Sequence, residues 1–116
     1  MNKVDKLIYI AGPYTSDPVQ NTHRAITVAD ELIFDGLIPY IPHLTLLWHL
    51  VTPRNVQFWY DYGYHILKRC DAVFRMEGKS VGADKEVELA KQYNIPVFYS
   101  MYDLMTFKRD GSVRDG

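Results

Sequence analysis

The stretch Leu7-Ile8-Tyr9-Ile10-Ala11, followed at once by Gly12-Pro13, decides the fold. A continuous apolar run that turn residues close is typical of a strand buried on both faces of a parallel sheet. Asp17-Pro18 then favours a helix start, because Asp caps the first turn and Pro suits the first helical position. A buried strand followed by a helix predicts the beginning of a βαβ unit.

The remainder of the chain continues this alternation. The first helix should bury a face with Ile26, Ala29, Leu32 and Ile33, which Ala25 and Val28 broaden. It should end at Asp35-Gly36, where Gly allows a left-handed cap. Further strands are predicted at 37–41, 71–76 and 95–99, and further helices at 53–70, 83–93 and 101–107. Pro39 indicates that the second strand lies at a sheet edge or ends there. Residues 44–53 fit either a short helix or an irregular lid.

This order predicts one α/β domain over residues 1–116. It should be a Rossmann- or flavodoxin-like three-layer domain with a short parallel sheet of four or five strands.

Composition narrows the range of partners and locations. The net charge of −1 does not favour a nucleic acid polymer or an anionic membrane as partner. No apolar run reaches the roughly 18 residues that a membrane span requires. The only cysteine, Cys70, excludes an internal disulfide and fits a reducing compartment. We therefore expect a cytoplasmic protein. The histidine spacing suggests no metal site, and no cofactor is expected.

Parallel sheets bind ligands beyond the carboxyl ends of their strands, which brings the loops 12–17, 42–48 and 77–83 together. Tyr9 lies inside the first strand and needs a partner for its hydroxyl, either the backbone or a catalytic carboxylate. Glu86 follows the third loop, as a surface residue or as a nucleophile that the helix dipole keeps ionised. Asp61 lies in an aromatic-rich helix and is either a second functional carboxylate or a solvated one.

Aromatic side chains near these loops could form the wall of a base-binding site. His43 follows Pro42 at a strand end, and Trp48 and Trp59 could stack on a base. Because aromatic residues at helical spacing are more often core residues, we expect only one of the two tryptophans to be functional. Gly12 lets the backbone turn sharply beside a ligand. It belongs to neither a GxGxxG nor a Walker motif.

Several segments in this order resemble the nucleoside 2-deoxyribosyltransferase superfamily, which includes the deoxynucleoside 5′-monophosphate N-hydrolases. The resemblance covers residues 6–99. It rests on Tyr9-Ile10-Ala11-Gly12-Pro13, Asn21…Ala25…Ala29, Pro42-His43, Cys70-Asp71-Ala72 and Gly78-Lys79-Ser80-Val81-Gly82-Ala83-Asp84-Lys85-Glu86.

The resemblance implies a nucleophile at Glu86, an orienting tyrosine at Tyr9 and a helical aspartate, which falls on Asp61. It also implies a homodimer or higher homo-oligomer. The transferases carry an Asp where this chain has Ser80, which instead matches the hydrolases, where the serine contacts phosphate. Those hydrolases also carry a Ser and an Arg after the first strand. This chain has Pro13-Tyr14-Thr15 there, which leaves the candidate phosphate contacts Thr15, Ser16, His23 and Arg24.

These observations lead us to expect cleavage or transfer at the N-glycosidic bond of a nucleoside or nucleoside 5′-monophosphate. A non-catalytic nucleotide-binding module of the same fold is the alternative. A flavodoxin- or response-regulator-like domain is a more distant one, because no carboxylate ends the first strand. The residues expected to contact substrate are Gly12, Pro13, Thr15, His43, Trp48, Trp59, Ser80, Gly82 and Ala83.

Overall fold

The computed structural model describes residues 6–110 and contains four strands and five α-helices in that range. The elements are β1 (Leu7–Ala11), α1 (Pro18–Phe34), β2 (Ile38–Tyr40), α2 (Thr45–Val51), α3 (Val56–Leu67), β3 (Ala72–Arg75), α4 (Val81–Gln92), β4 (Val97–Phe98) and α5 (Met101–Asp110), with a 3-10 turn at Pro42–Leu44 between β2 and α2.

The four strands form one parallel sheet in the order β2-β1-β3-β4. This confirms the predicted three-layer α/β fold. Pro39 lies on the edge strand β2, as expected, because a proline cannot donate to a second neighbour. The prediction of a single domain over residues 1–116 includes 1–5 and 111–116, which lie outside the described residues.

The side chains of β1 alternate between two buried faces. Ile8 and Ile10 pack into a core formed with α1 and α5, whereas Tyr9 and Ala11 pack into a second core formed with α3 and α4. All four residues are fully buried. The uninterrupted apolar run of β1 therefore follows from its central place in a sheet covered on both sides.

The first helix buries Ala25, Ala29 and Leu32 and partly buries Val28, as predicted, but it does not bury the two isoleucines of the predicted face. Its buried residues are Asn21, Ala25, Ala29 and Leu32. Ile26 and Ile33 are exposed by 40% and 57%, so their predicted burial is wrong. The small side chains of Ala25 and Ala29 let the helix axis approach the sheet closely. Ile26 and Ile33 each follow a buried residue by one position, and successive residues of a helix are rotated by about 100°, so both isoleucines lie outside the buried face.

Capping residues set the helix limits more sharply than the apolar pattern did. The third helix begins at Val56 rather than at Pro53, because the Asn55 side chain accepts a hydrogen bond from the Phe58 amide. It ends at Leu67, before the predicted limit of Cys70. The fourth begins at Val81, where Ser80 accepts from the Ala83 amide. The segment that fitted either a lid or a helix forms α2.

The strand order creates a crevice at the carboxyl end of β1. The connection from β1 leads to β2 on one side, and the next connection leads to β3 on the other side. At such a reversal the loops after β1 and β3 lead away from each other. Ligands of open parallel sheets bind in the crevice between loops of this kind. Within residues 6–110, no helix is long and apolar enough to cross a membrane.

The buried face of α1 can be tested with two neighbouring residues. Leu32 is fully buried and Ile33 is 57% exposed. We predict that Leu32→Ala lowers the free energy of unfolding by about 2–4 kcal/mol, whereas Ile33→Ala lowers it by less than about 1 kcal/mol. Urea titrations of both variants measure the difference. Equal losses would contradict the helix orientation.

Candidate active site

A cavity of about 300 Å³ opens at the crevice beyond β1. Its walls come from the loop after β1, the 3-10 turn, α2, α3 and the start of α4. The lining residues are Tyr9, Gly12, Tyr14, Thr15, Pro42, His43, Thr45, His49, Arg54, Val56, Trp59, Tyr60, Ser80, Gly82, Ala83 and Glu86. Its volume lies at the lower end of the range of small-molecule sites.

Two residues that are far apart in sequence meet at the base of the cavity. The hydroxyl of Tyr9 donates a hydrogen bond to Oε2 of Glu86. Tyr9 is fully buried in the middle of β1, so its ring is held by packing on all sides. The sequence left open whether the Tyr9 hydroxyl bonds to the backbone or to a carboxylate. Its partner is the carboxylate of Glu86, and the bond holds this carboxylate at the cavity wall.

The carboxyl of Glu86 ionises less readily than an ordinary glutamate. Burial raises its pKa from 4.5 to about 7, and the hydrogen bond from Tyr9 and the positive charge of Arg75 only partly oppose this rise. Burial and the nearby carboxylate hold the pKa of Tyr9 well above its usual value. The expectation that the helix dipole keeps Glu86 ionised is therefore wrong. Glu86 is the sixth residue of α4, and the dipole acts mainly within the first turn.

Helix α3 approaches this pair through a glycine. A Cβ atom on Gly63 would lie 2.9 Å from the Tyr9 hydroxyl oxygen and 4.0 Å from Oε2 of Glu86. Gly63 is buried, and the first of these distances is shorter than any real Cβ contact. A residue with a side chain at position 63 would displace the tyrosine hydroxyl, so the glycine is a condition for the Tyr9–Glu86 contact.

Asp61, the only carboxylate of α3, lies outside the cavity. Its side chain is exposed and accepts a hydrogen bond of 2.9 Å from Gln57 on the same helix. Gly63 lies two positions after Asp61, which corresponds to about 200° around a helix. The assignment of Asp61 as a second catalytic carboxylate is therefore not supported by its position, and of its two interpretations the solvated one fits.

The loops after β1 and β3 pack against each other, and the loop after β1 is also held by a hydrogen bond to its backbone. The Pro13 ring packs on Gly78, whose φ of +119° is one that residues other than glycine rarely adopt. The Nε2 of buried His43 hydrogen-bonds to the Pro13 carbonyl at 3.0 Å, so this nitrogen carries the proton. Burial lowers the pKa of His43, which favours this neutral form. Pro13 thus shapes the cavity without lining it, and His43 both lines the cavity and holds the loop.

The start of α4 forms a polar end of the cavity. Ser80, Gly82 and Ala83 line it together with Thr15 and Gly12, as expected for substrate contacts. The other candidate phosphate contacts lie elsewhere. Ser16 accepts a hydrogen bond from Asn21, the Arg24 guanidinium donates to the Glu77 carbonyl, and His23 does not line this cavity.

One of the two tryptophans reaches the cavity. Trp59 lines it, whereas Trp48 packs behind it with ring centroids 5.3 Å apart. The lining residues His49, Arg54, Tyr14 and Tyr60 were not among the sequence candidates. One signal was available in the sequence. Asn55 is a typical helix cap, and Arg54 directly before it could have indicated a charged side chain at the mouth of the cavity.

Within the described part of the chain, no three His, Cys, Asp or Glu side chains are grouped closely enough to hold a metal ion. Cys70 is a free, buried thiol, and burial raises its pKa to about 12. Its role is therefore that of a small core residue.

Comparison with known proteins places the chain in a family. A family model described as Domain of unknown function (DUF7768) matches residues 6–100. The chain belongs to this family. No curated protein matches the sequence.

Among solved structures, six chains match. One of them is described as a 2-desoxiribosyltransferase from Leishmania mexicana, with a TM-score of 0.63 and 18% sequence identity. The match covers 80% of this chain and 62% of that chain. The chain thus spans less than two thirds of that protein, and the likeness shows a common fold.

The contact between α3 and the Tyr9–Glu86 pair makes a prediction about coupling. We predict that Gly63→Ala lowers the free energy of unfolding by about 1–3 kcal/mol, because the new methyl group collides with the Tyr9 hydroxyl. In a Tyr9→Phe background the collision is absent, so the same change should be neutral or stabilise by up to about 1 kcal/mol, since alanine favours helices. Chemical denaturation of the four proteins in this cycle gives the coupling; equal effects in both backgrounds would refute the contact.

The raised pKa of Glu86 predicts a pH-dependent cost to stability. With a folded-state pKa of about 7 against 4.5, the folded protein holds the proton more tightly, so stability falls as pH rises from about 4.5 to 7. Glu86→Gln removes this cost. We predict that its stability relative to the unmodified protein is higher at pH 8 than at pH 5 by about 1–3 kcal/mol. Urea unfolding at both pH values tests this, and a constant difference would contradict it.

Proposed function

We propose that this protein cleaves or transfers at the N-glycosidic bond of a nucleoside or nucleoside 5′-monophosphate, with Glu86 as the nucleophile. The observation that carries the proposal is the Tyr9–Glu86 hydrogen bond at the wall of a cavity large enough for a small ligand. The fold shared with a protein described as a 2-desoxiribosyltransferase supports it, as does the resemblance of the sequence motifs to that superfamily.

The proposed chemistry is a double displacement at the anomeric carbon. The ionised Glu86 attacks C1′ through an oxocarbenium-like transition state, and a bond forms between the carboxylate oxygen and C1′. The C1′–N bond breaks, and its electron pair leaves with the base, which takes a proton from water. In the second displacement a water oxygen or a nitrogen of a second base attacks C1′, the bond between C1′ and the Glu86 oxygen breaks, and its electron pair restores the carboxylate. Water gives hydrolysis and loses a proton to solvent, whereas a second base gives transfer. A 2-deoxy sugar suits this pathway, because no electron-withdrawing 2′-hydroxyl destabilises the cation.

Tyr9 acts in this proposal as a positioning residue. Its hydroxyl holds one carboxylate oxygen, which leaves Oε1 of Glu86 for the attack, and its own high pKa keeps it a donor. Because the pKa of Glu86 is about 7, a substantial ionised fraction is available near neutral pH. Burial makes that carboxylate poorly solvated, which raises its reactivity.

The two ends of the cavity suit the two ends of a nucleotide. Ser80, Thr15 and the first amides of α4 offer hydrogen-bond donors at a helix N-terminus, where a 5′-phosphate is favoured. Trp59 offers an aromatic face for the base. We also propose that the protein forms a homodimer or higher homo-oligomer and is located in the cytoplasm. Analytical ultracentrifugation would measure the oligomeric state.

One observation favours the alternative, a nucleotide-binding module without catalysis. Among the described residues that line the cavity, Glu86 is the only carboxylate. Asp61 does not reach the cavity, so none of the other described carboxyl groups is placed to protonate the leaving base. A module that binds a nucleotide and leaves it intact would need no such group.

Base release from a panel of deoxynucleosides and their 5′-monophosphates tests the function. Chromatography of the free base, with and without an acceptor base, should show release by the unmodified protein and a loss of at least 100-fold in Glu86→Ala. Glu88→Ala is the matched control, because Glu88 is an exposed glutamate on the same helix. Binding without release would select the non-catalytic module, and neither binding nor release would reject both.

A further inference from the structure

The tautomer of His49 is fixed by its neighbours. The indole N–H of Trp59 donates to Nδ1 of His49 at 2.8 Å, and the backbone N–H of Arg54 approaches the same nitrogen at 3.3 Å. Both of these groups can only donate. Nδ1 is therefore an acceptor without a proton, and the proton of the neutral ring is on Nε2.

This arrangement leaves one polar group of the ring for a ligand. His49 is half-buried on α2 and lines the cavity. Within residues 6–110, no protein group forms a hydrogen bond with its Nε2. The ring cannot rotate to offer Nδ1 instead without breaking the bond to Trp59. His49 therefore presents a fixed N–H donor.

Arg54 adds a second donor beside it. Its guanidinium lies 4.7 Å from the ring centroid of Phe58 and 5.8 Å from that of Trp59. One of its terminal nitrogens donates to the Thr52 hydroxyl at 3.2 Å. The aromatic rings and this bond hold the guanidinium at the cavity wall, and a guanidinium has no acceptor.

His49, Arg54 and Trp59 all line the cavity, and both donors lie beside the Trp59 ring. The ring centroids of His49 and Trp59 are 5.9 Å apart, and the Arg54 guanidinium is 5.8 Å from the Trp59 centroid. A base stacked there would meet N–H donors at its edge from both His49 and Arg54. A carbonyl oxygen at that edge would be paired, whereas an amino group would place donor against donor. Sites with fixed donors reject ligands that leave those donors unpaired.

We infer that His49, with Arg54, makes the site selective for nucleobases that present a carbonyl oxygen rather than an amino group at this edge, that is, for oxo-bases such as hypoxanthine over amino-bases such as adenine. The inference rests on the proposed function for the presence of a nucleotide. The same donors stabilise the negative charge that grows on the base as it leaves, in a site without a second carboxylate.

Binding of a matched pair of nucleotides tests the selectivity without turnover. In Glu86→Gln protein, isothermal titration calorimetry compares 2′-deoxyinosine and 2′-deoxyadenosine 5′-monophosphates, which differ in the 6-oxo and 6-amino groups. We expect the oxo-nucleotide to bind about tenfold more tightly. His49→Phe should bring the two affinities within about twofold of each other. His65→Phe is the matched control, because His65 is exposed on α3 and does not line the cavity.

A second variant covers the case in which His49→Phe does not fold. His49→Gln can still accept from Trp59 and donate into the cavity, so it should keep part of the preference. In parallel, ¹⁵N-resolved imidazole spectra should show His49 with its proton on Nε2. Trp59→Phe should raise the fraction with the proton on Nδ1, because it leaves only the longer of the two contacts, the one from the Arg54 backbone N–H.

The outcomes separate this inference from the proposed function. Selective binding without base release supports the inference and rejects the enzyme. Base release with equal affinities, or a preference that His49→Phe leaves unchanged, rejects the inference and keeps the enzyme. Absence of nucleotide binding rejects both. An Nδ1-protonated His49 in the spectra also overturns the inference.

Discussion

The hydrogen bond between Tyr9 and Glu86 is the constraint on which the rest of the site depends. It requires a buried tyrosine in the central strand, a glutamate on the helix that follows β3, and a glycine where α3 crosses them. Each of these requirements fixes the approach of one element. The cost of burying a carboxylate appears in the raised pKa of Glu86, so the fold accepts a local loss of stability in order to hold this group at the cavity wall.

The strands and their order of appearance could be predicted because burial on both faces leaves an unmistakable apolar run, as in β1 and β3. The packing of α1 could not. Its two isoleucines, Ile26 and Ile33, lie on one face beside the face with Ala25 and Ala29, and only the sheet decides that the narrow face with the alanines is the one that fits. Burial of large side chains at Ile26 and Ile33 would hold the helix farther from β1. The helix starts at Val56 and Val81 depended on hydrogen bonds that the side chains of Asn55 and Ser80 accept from backbone amides.

The site was predictable where a strand or a helix start fixes its residues. Tyr9, Gly12, Ser80 and Glu86 all reach the cavity. On α3 the sequence indicated Trp59, which lines the cavity, but it was misleading at Asp61, because a shift of two positions along a helix turns a side chain from the cavity to solvent. Asp61 attracted attention as a carboxylate, whereas the functional feature of this helix is the missing side chain of Gly63. A glycine in a sequence does not show which neighbouring group needs the space where its Cβ would be. For Gly63 that group, the Tyr9 hydroxyl, is known only from the structure.

The cavity is built from two parts that are anchored separately. The Tyr9–Glu86 pair is held by the sheet and α4, and the loops beside it are held by the Pro13–Gly78 packing and the bond from His43 to a main-chain carbonyl. The wall with His49 and Arg54 rests on the aromatic residues of α2 and α3. Side chains on that wall can therefore be exchanged without moving Tyr9 or Glu86. This division makes the scaffold suited to laboratory evolution, in which the wall of the cavity is changed while the buried pair is left in place.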